Sequence, residues 1–589
     1  EEKKYKYKPI PRALEKEYYL MSSAQKRIFF IQQMNLEGVM YNMPQILKLH
    51  GNLNIDRFKA ALMEMVSRHE ILRTVFLIIE GKHVQKILSE AIIPFEYEEM
   101  SDKNDSEEIK EFVRAFDLSK APQIRVRLVK REDYILLMLD MHHIICDGMS
   151  MGTFLNELNA LYRGEKLPGL NHQFKDYSEW MNVRDLKKQK EYWVSQFSDD
   201  IPVFDMPLGH IRPKEKSYEG GTTERILNEE LVQQIRTLAS KEGVTEYMIF
   251  LSAAMIMLGK YSRQEDIVIG SPISGRTHKD TEGMLGMFVN TLAMRGKPER
   301  TKHYGTFLRE IKEICLKAYE NQEYPFEELV EAVNVQREMS RNPLFDVMLV
   351  LQNNEAVKLD LEGVDAEMLD EENKAATFDL TFEIEEYEGK YVIMLEYCTA
   401  LYKKKTADYM LVHFEEVLKQ LTANENILIG DIEMVSLEER ETILKEFNAT
   451  YVEYPIEKTI VDVFEKQVRK TPNNIAVVFE EMTMTYAELN AKANSLANIL
   501  HNMGIKRDDF VALLTERSLE MIIGIMGVLK AGGAYVPVDT NYPEERTRYI
   551  IEDCKPKVIL YYHPVRQGSE EIRYMIKNVS NALEADIQI

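Results

Sequence analysis

Cysteine is scarce in this sequence: Cys146, Cys315, Cys398 and Cys554 are the four in 589 residues, and no two form a Cys-x-x-Cys pair. Thiols so far apart supply neither a zinc-site spacing nor a disulfide framework. A positive excess is missing too. The 74 Lys and Arg against 97 Asp and Glu leave a formal charge of −23. That charge repels phosphate backbones and no basic, aromatic-rich cluster offsets it, so nucleic acid is not an expected partner. Long apolar runs are also absent. The longest, near Tyr247–Leu258 and Met521–Leu529, fall short of the roughly 20 residues that a bilayer span needs. The start, Glu-Glu-Lys-Lys-Tyr-Lys-Tyr-Lys, carries no apolar signal region. These absences predict a cytoplasmic protein with no membrane attachment. What is present, 45% hydrophobic and 29% charged residues, is ordinary for a globular chain. The length predicts roughly two to four compact units.

One stretch organises the rest. Tyr134–Ser150 holds an apolar run, the adjacent His142 and His143, then Ile144-Ile145-Cys146 and Asp147-Gly148. The run reads as a strand buried on both faces, and Asp-Gly as a tight loop. Met151, Phe154, Leu155, Leu158 and Leu161 recur at helical spacing after it, with Ser150 as the expected cap. Strand, histidine pair, loop and helix together present an imidazole at the lip of a cleft. A lone histidine beside an apolar run is more often a packed core residue; here seven further segments in fixed order bear on the choice.

In chain order, residues 1–17 are charged and proline-bearing, and read as a linker. Ser22-Ser23-Ala24-Gln25-Lys26-Arg27 opens an amphipathic helix that Ser22 or Ser23 caps, with Ile28, Phe29 and Ile31 on its apolar face. Leu53–His69 is strongly periodic, with Phe58, Ala61, Leu62, Met65 and Val66 on one face. It runs into Arg68-His69-Glu70-Ile71-Leu72-Arg73-Thr74-Val75-Phe76, whose arginines suit a helix C-terminus. Phe174–Trp180 is a helix with its rings inward, and the irregular stretch 199–216 is a crossing between two lobes. Thr222–Leu227 alternates as a strand. Helices Glu229–Ser240 and Thr245–Tyr261 follow, the second apolar nearly all round and therefore buried. Ile267–Arg276 breaks from a buried strand into a Gly/Pro turn, and Gly286-Met287-Phe288-Val289-Asn290-Thr291 comes shortly after. Asn321–Glu327 and Arg337–Phe345 are two more marked segments. Strands are expected near 347–352, 378–385 and 391–397, before a closing helix at Lys404–Leu421.

These segments resemble the motifs of condensation domains of nonribosomal peptide synthetases, which share the chloramphenicol acetyltransferase fold. The resemblance covers residues 18–430. It implies an α/β architecture of two α+β lobes, 18–200 and 201–430, forming a V around a central tunnel. Only the first half carries His-His-x-x-x-Asp-Gly, so one active site between the lobes is implied. Residues 1–17 would arrive from an upstream carrier domain, and 431–455 would be a second linker. From 456 to 589 helices alternate with short buried strands, which argues a parallel α/β unit. There Met484–Asn490 and Leu529–Asp539 resemble the first two core motifs of adenylation domains. As bare physics, Gly532-Gly533 is a helix C-terminal cap. No Ser/Thr/Gly-rich loop able to hold ATP phosphates occurs between 455 and 589, so this unit is expected not to adenylate.

The chemistry implied is peptide-bond formation between two carrier-bound thioesters, with the motif wording nearest to the L-donor, L-acceptor subtype. The phosphopantetheine arms would come on an upstream donor carrier and a downstream acceptor carrier, and the chain itself would bind no cofactor or metal. The resemblance gives His143 the contact with the acceptor amine. It gives His142 and Gly148 the shaping of the loop, with the Gly148 amide as an oxyanion donor. Asp147 has two readings: orienting His143 as in a triad, or pairing as a buried charge with Arg276. The resemblance favours the second, and counts Arg276 and Asn290 as support of the site. Cys146 stands where the family usually has serine; it is either packing or a nucleophile acting through an acyl-enzyme. An epimerisation domain, an acyl-coenzyme A acyltransferase and a silent carrier-docking platform are the rival functions.

Overall fold

The computed structural model describes residues 7–588 except 100, 208, 334, 336–337, 353–356, 370–374, 563–572 and 579–582. The first six residues of the leading stretch, Arg337 of the Arg337–Phe345 segment, and Ile589 therefore lie outside the described residues. The chain forms two compact units, Glu1–Glu446 and Phe447–Ile589.

The larger unit has two lobes, each a sheet covered by helices. The first sheet has five strands, in the order Val364–Met368, Asn42–Gly51, Ile135–His142, Ile124–Lys130 and Phe95–Glu98. Ile135–His142 is the middle strand, and every residue after Ile135 is buried. Its neighbours on both sides run antiparallel; the continuous apolar run comes from cover on both faces and not from parallel pairing. Helix Ile55–Arg68 buries Phe58, Ala61, Leu62, Met65 and Val66, the face expected from periodicity. It packs on helix Gly148–Tyr162, which leaves the histidine strand. Ser22 caps helix Ser23–Met34 in a reciprocal arrangement with Gln25.

The second sheet has six strands, in the order Asn290–Gly296, Ile267–Ile273, Val347–Gln352, Leu380–Tyr387, Lys390–Cys398 and Gly220–Ile226. Helix Glu246–Ser262 is buried at every position from Tyr247 to Gly259, as its all-round apolarity requires. Thr245 caps it, accepting from the Met248 amide. Helices Glu229–Glu242 and Lys404–Ala423 pack against it.

The lobes are interlaced. Val364–Met368, from the second half of the chain, pairs antiparallel with Asn42–Gly51 and so extends the first sheet. Met284, Leu285, Met287 and Phe288 join the first lobe's core, although the strands on either side of them belong to the second sheet. Residues 276–288 therefore tie one lobe to the other.

The smaller unit has a five-stranded sheet, in the order Ala534–Val538, Phe510–Leu514, Val558–Tyr562, Arg573–Asn578 and Leu583–Gln588. The first three strands are parallel, as the alternation of helices and strands predicts, and the last two are antiparallel. Helix Leu519–Lys530 ends at Ala531, and Gly532 follows at φ +82°, the left-handed conformation that glycine supplies after a helix. Among the described residues no single helix is long and apolar enough to cross a membrane.

Candidate active site

The two histidines leave the strand in different environments. His142 turns into the first lobe and is wholly buried. The ring centroids of Phe116 and Tyr41 lie 5.9 and 6.3 Å from its own. Its Nδ1 accepts the Ile144 amide at 3.2 Å, which leaves Nε2–H to donate to Gln32 Oε1 at 3.3 Å. Burial, assisted by the nearby His143 and Arg125, pushes its pKa down to about 3. It is a neutral packing element.

His143 is half-buried. Its main-chain N–H donates to the Tyr41 carbonyl at 2.7 Å. Its ring Nδ1 lies 2.7 Å from the Cys146 carbonyl oxygen. A carbonyl only accepts, so Nδ1 carries the proton and Nε2 keeps a free lone pair. Burial lowers the pKa of this ring, which favours the neutral form that such a lone pair requires. The tautomer is set by the turn itself, three residues after the imidazole.

None of the hydrogen bonds of the Asp147 carboxylate goes to His143. Oδ1 accepts the Ser150 amide at 2.7 Å and Arg276 Nη2 at 3.2 Å, while Oδ2 accepts the Phe288 amide at 3.0 Å. Asp147, and not Ser150, is therefore the cap of helix Gly148–Tyr162, a correction to the sequence expectation. The helix starts earlier than periodicity indicated because the carboxylate closes its first turn. The Ser150 hydroxyl is instead used across the lobes, donating to the Gly286 carbonyl at 2.8 Å and accepting from Arg276 Nη2 at 2.7 Å. Arg276 completes the knot through Nη1, which donates to the Thr281 and Met284 carbonyls. Its guanidinium lies 4.0 Å from the Phe288 ring centroid. The Arg276 and Asp147 side chains are 3% and 1% exposed. Of the two readings of Asp147, this geometry has the buried pair and lacks the triad.

Gly148 is exposed, and a Cβ built on it would meet nothing within 4 Å. The amides of Gly148 and Met149 open the helix and have no carbonyl one turn back within it. Asn290 works elsewhere. Its Nδ2 donates to the Gln322 and Tyr324 carbonyls, each at 2.8 Å, and its Oδ1 accepts from Thr291 and Phe326. It fastens the turn before helix Phe326–Ala332 to its strand. The Cys146 thiol is buried, donates to the Asp147 carbonyl at 3.4 Å, and has its pKa pushed well up by burial. A protonated, enclosed thiol is no nucleophile.

A cavity of about 3120 Å³ lies between the lobes, with Gln32, Tyr41 and Asn42 on one wall and Phe326, Phe345 and Phe378 on the other. His143 is not itself part of that wall; Tyr41, whose ring is 6.5 Å from the His143 ring, is. Sequence reasoning passed over Tyr41 and Gln32, and took Gln25 only as part of a motif at a helix start, with no role for its Nε2, which donates to the Ile144 carbonyl. The signal was available. Gln25 and Gln32 lie two turns apart on the buried face of one helix, where a polar side chain needs a partner.

Comparison with known proteins bears on the family and the fold. The family model described as "Condensation domain" matches residues 15–444, and "AMP-binding enzyme" matches 464–586. Gramicidin S synthase 2 of Brevibacillus brevis is 45% identical over 92% of this chain and 12% of its own length. Bacitracin synthase 3 of Bacillus licheniformis is 43% identical over 94% of this chain and 9% of its own. The chain thus spans about a tenth of these relatives. Among solved structures, the four-domain nonribosomal peptide synthetase AB3403 superposes with a TM-score of 0.83 at 22% identity, over 95% of this chain and 44% of that one. The condensation domain of the Monacolin K polyketide synthase MokA gives 0.63 at 18%, over 71% and 100%. These likenesses carry the fold, and the match over 15–444 carries the family: this chain belongs to the condensation domains of nonribosomal peptide synthetases.

Proposed function

We propose that the larger unit joins a donor aminoacyl or peptidyl thioester to the α-amine of an acceptor aminoacyl thioester, both of them L-configured and both delivered on carrier-protein phosphopantetheine arms. An upstream carrier supplies the donor and a downstream carrier receives the product, within a cytoplasmic assembly line. The observation that carries this reading is the lock on His143: Nδ1–H held by the Cys146 carbonyl, with Nε2 free.

An α-amine has a pKa of roughly 7.7–8.0, so near neutral pH a useful fraction is already uncharged. Nε2 accepts one amine hydrogen and so aims the nitrogen lone pair at the thioester carbonyl. The C–N bond forms, and the carbonyl oxygen takes negative charge beside the open amide of Gly148. The proton shed by nitrogen passes to Nε2. The C–S bond then breaks, and the departing thiolate takes that proton from Nε2 to leave as thiol, which returns His143 to its neutral form. Holding both reactants in one cavity supplies the larger factor, about 7–11 kcal/mol of barrier, and the imidazole adds about 10²–10⁴-fold. Asp147, Arg276 and Asn290 act as structural support. The smaller unit performs no adenylation in this chain, for want of a phosphate-holding loop; amino-acid-dependent pyrophosphate exchange into ATP would contradict that.

The test is single-turnover condensation between two preloaded carriers, with products weighed by mass spectrometry. His143→Ala should stay folded and lose about 10²–10⁴-fold in rate. A folded His143→Ala chain that condenses at the parent rate removes the residue from the mechanism.

A further inference from the structure

Among the described residues, Lys216 is a half-buried cation without an anionic partner. It lines the cavity between the lobes together with Tyr218, Asn342, Thr377 and Phe378. Its main-chain N–H donates to the Met339 carbonyl at 3.1 Å. Its Nζ donates to Asn342 Oδ1 and to the Thr377 carbonyl, each at 2.5 Å, and both acceptors are neutral. The Tyr218 and Phe378 ring centroids stand 5.1 and 5.6 Å from Nζ; they attract the charge without neutralising it. The charges around it are matched elsewhere: Arg27 with Glu327, Arg341 with Asp346, and Arg212 with Asp379. Glu396, on the same wall, receives the Thr377 amide at 3.4 Å. Burial pushes the Lys216 pKa down to about 8, against the pull of Asp379 and Asp346, so the side chain is still mostly an ammonium at neutral pH.

We propose, on the reading of this cavity as the place where two aminoacyl thioesters meet, that Lys216 is an anion subsite: it takes the side-chain carboxylate of an aspartyl or glutamyl reactant and so selects it over the corresponding amide. An ammonium has three N–H donors. With two given to Asn342 and Thr377, the third is left for a reactant. Those two bonds and the main-chain bond to Met339 hold the lysine in place beforehand, so little side-chain freedom is lost on contact. A hydrogen bond between two charged groups is roughly twice as strong as a neutral one, which is the basis for discriminating carboxylate from amide. One remaining donor suits one carboxylate oxygen. A phosphate, with three strong acceptor oxygens, is held where several donors converge. The Phe378 ring, stacked on Phe345 at 5.7 Å, gives the aliphatic stem of such a side chain an apolar surface to lie on.

The test is acetylation of the full chain by trace acetic anhydride, read at Lys216 by peptide mass spectrometry, with the exposed Lys120 as internal control. Only the free amine reacts, and a bound carboxylate keeps it protonated. Three probes are added in turn: the aspartyl and asparaginyl amides of the pantetheine arm with nitrogen in place of sulfur, and 4′-phosphopantetheine. The aspartyl probe should slow Lys216 about tenfold, the fall in free amine when its pKa rises by one. The asparaginyl probe should leave it unchanged, and Lys120 should react alike throughout. Equal slowing by the two amides, or slowing by no probe, overturns the subsite; slowing by 4′-phosphopantetheine alone overturns the carboxylate and gives the site to the arm's phosphate. In single-turnover condensation, with the aspartyl or asparaginyl group on each carrier in turn, Lys216→Met should lower the aspartyl-to-asparaginyl rate ratio about tenfold on one of them. Lys216→Arg should keep that ratio, whereas a merely structural loss lowers both rates alike. An unchanged ratio on both carriers in a folded Lys216→Met chain overturns the assignment, and should that chain not fold, the labelling of the parent decides. A parent chain that condenses nothing, yet is protected by the aspartyl probe, supports the subsite and sinks the reaction.

Discussion

Removing the Asp147 carboxylate is the sharpest perturbation of the way the lobes are joined. In Asp147→Ala the helix Gly148–Tyr162 loses its cap, which costs about 1 kcal/mol. Arg276 loses its anionic partner at a site where its side chain is 3% exposed. Breaking a buried pair costs about 3–5 kcal/mol. Arg276 keeps the Thr281 and Met284 carbonyls and the Ser150 hydroxyl as acceptors, so the lower end applies and the total comes to about 4 kcal/mol. Asp147→Asn keeps an oxygen for the Ser150 amide but not the charge, and should lose about half as much. A unit this large shifts by about 1 °C per kcal/mol, giving a drop of about 4 °C for alanine and about 2 °C for asparagine. The assay is a circular-dichroism melt of both variants beside the parent, followed by a double-mutant cycle with Arg276→Gln. The cycle should show a coupling of about 0.5–3 kcal/mol. Unchanged melting in both single variants, or strict additivity in the cycle, would refute the pairing as the source of stability and return Asp147 to the chemistry.

Three further outcomes follow from the same turn. His142 is held neutral by burial, with a pKa of about 3 against an ordinary 6.5, so the folded state binds fewer protons than the unfolded one between those values. Its contribution is complete above pH 6.5 and fades as pH falls towards 3, by up to about 1.4 kcal/mol per pH unit. Urea titrations should show that slope in the parent and a shallower one in His142→Gln, and equal slopes would contradict it. Gly148→Ala should melt like the parent, since its Cβ meets nothing, yet turn over more slowly because the methyl enters the space kept for the reacting carbonyl; parental turnover would place the reaction elsewhere. Cys146→Ser should keep turnover within a few-fold, and the native thiol should resist iodoacetamide. Total loss of activity in a folded serine chain would revive an acyl-enzyme.

The fold was legible wherever a periodicity ran long. The apolar face of Ile55–Arg68 and the all-round burial of Glu246–Ser262 followed from side-chain spacing alone. What escaped was Val364–Met368, the strand that the second half of the chain lends to the first sheet. It has five residues, none of them buried, on the edge of its sheet. The alternation Val-Asp-Ala-Glu-Met is there, with Val364 and Ala366 partly buried against the first lobe's core, but alternation does not say which sheet a strand joins, and its pairing is decided by a partner some three hundred residues away in sequence. Tyr41 escaped for a similar reason. One aromatic residue ahead of a strand carries no periodic signal, and its place beside His143 exists only after Asn42–Gly51 has paired with Ile135–His142.

At the site, the short motif names the participants without naming the bonds between them. His143 and Asp147 are four positions apart, close enough for a histidine–carboxylate pair to be the natural guess. The turn decides otherwise. The Ile145 and Cys146 amides fold back onto the His142 and His143 carbonyls, which leaves the Cys146 carbonyl oxygen to receive Nδ1–H of His143. With the imidazole already fixed by a main-chain acceptor, the carboxylate is free to close the helix start, and the remaining valence of each oxygen goes to Arg276 and Phe288. Those partners lie 129 and 141 residues downstream. A neutral imidazole aimed by a carbonyl suits the orientation of an amine that is already partly uncharged. An imidazole backed by a buried carboxylate would have been a stronger base, which a serine hydroxyl needs and this reaction does not. The separation of His143 from Asp147 is therefore a chemical statement as well as a structural one: the charge holds the lobes, and the lone pair is left for the substrate.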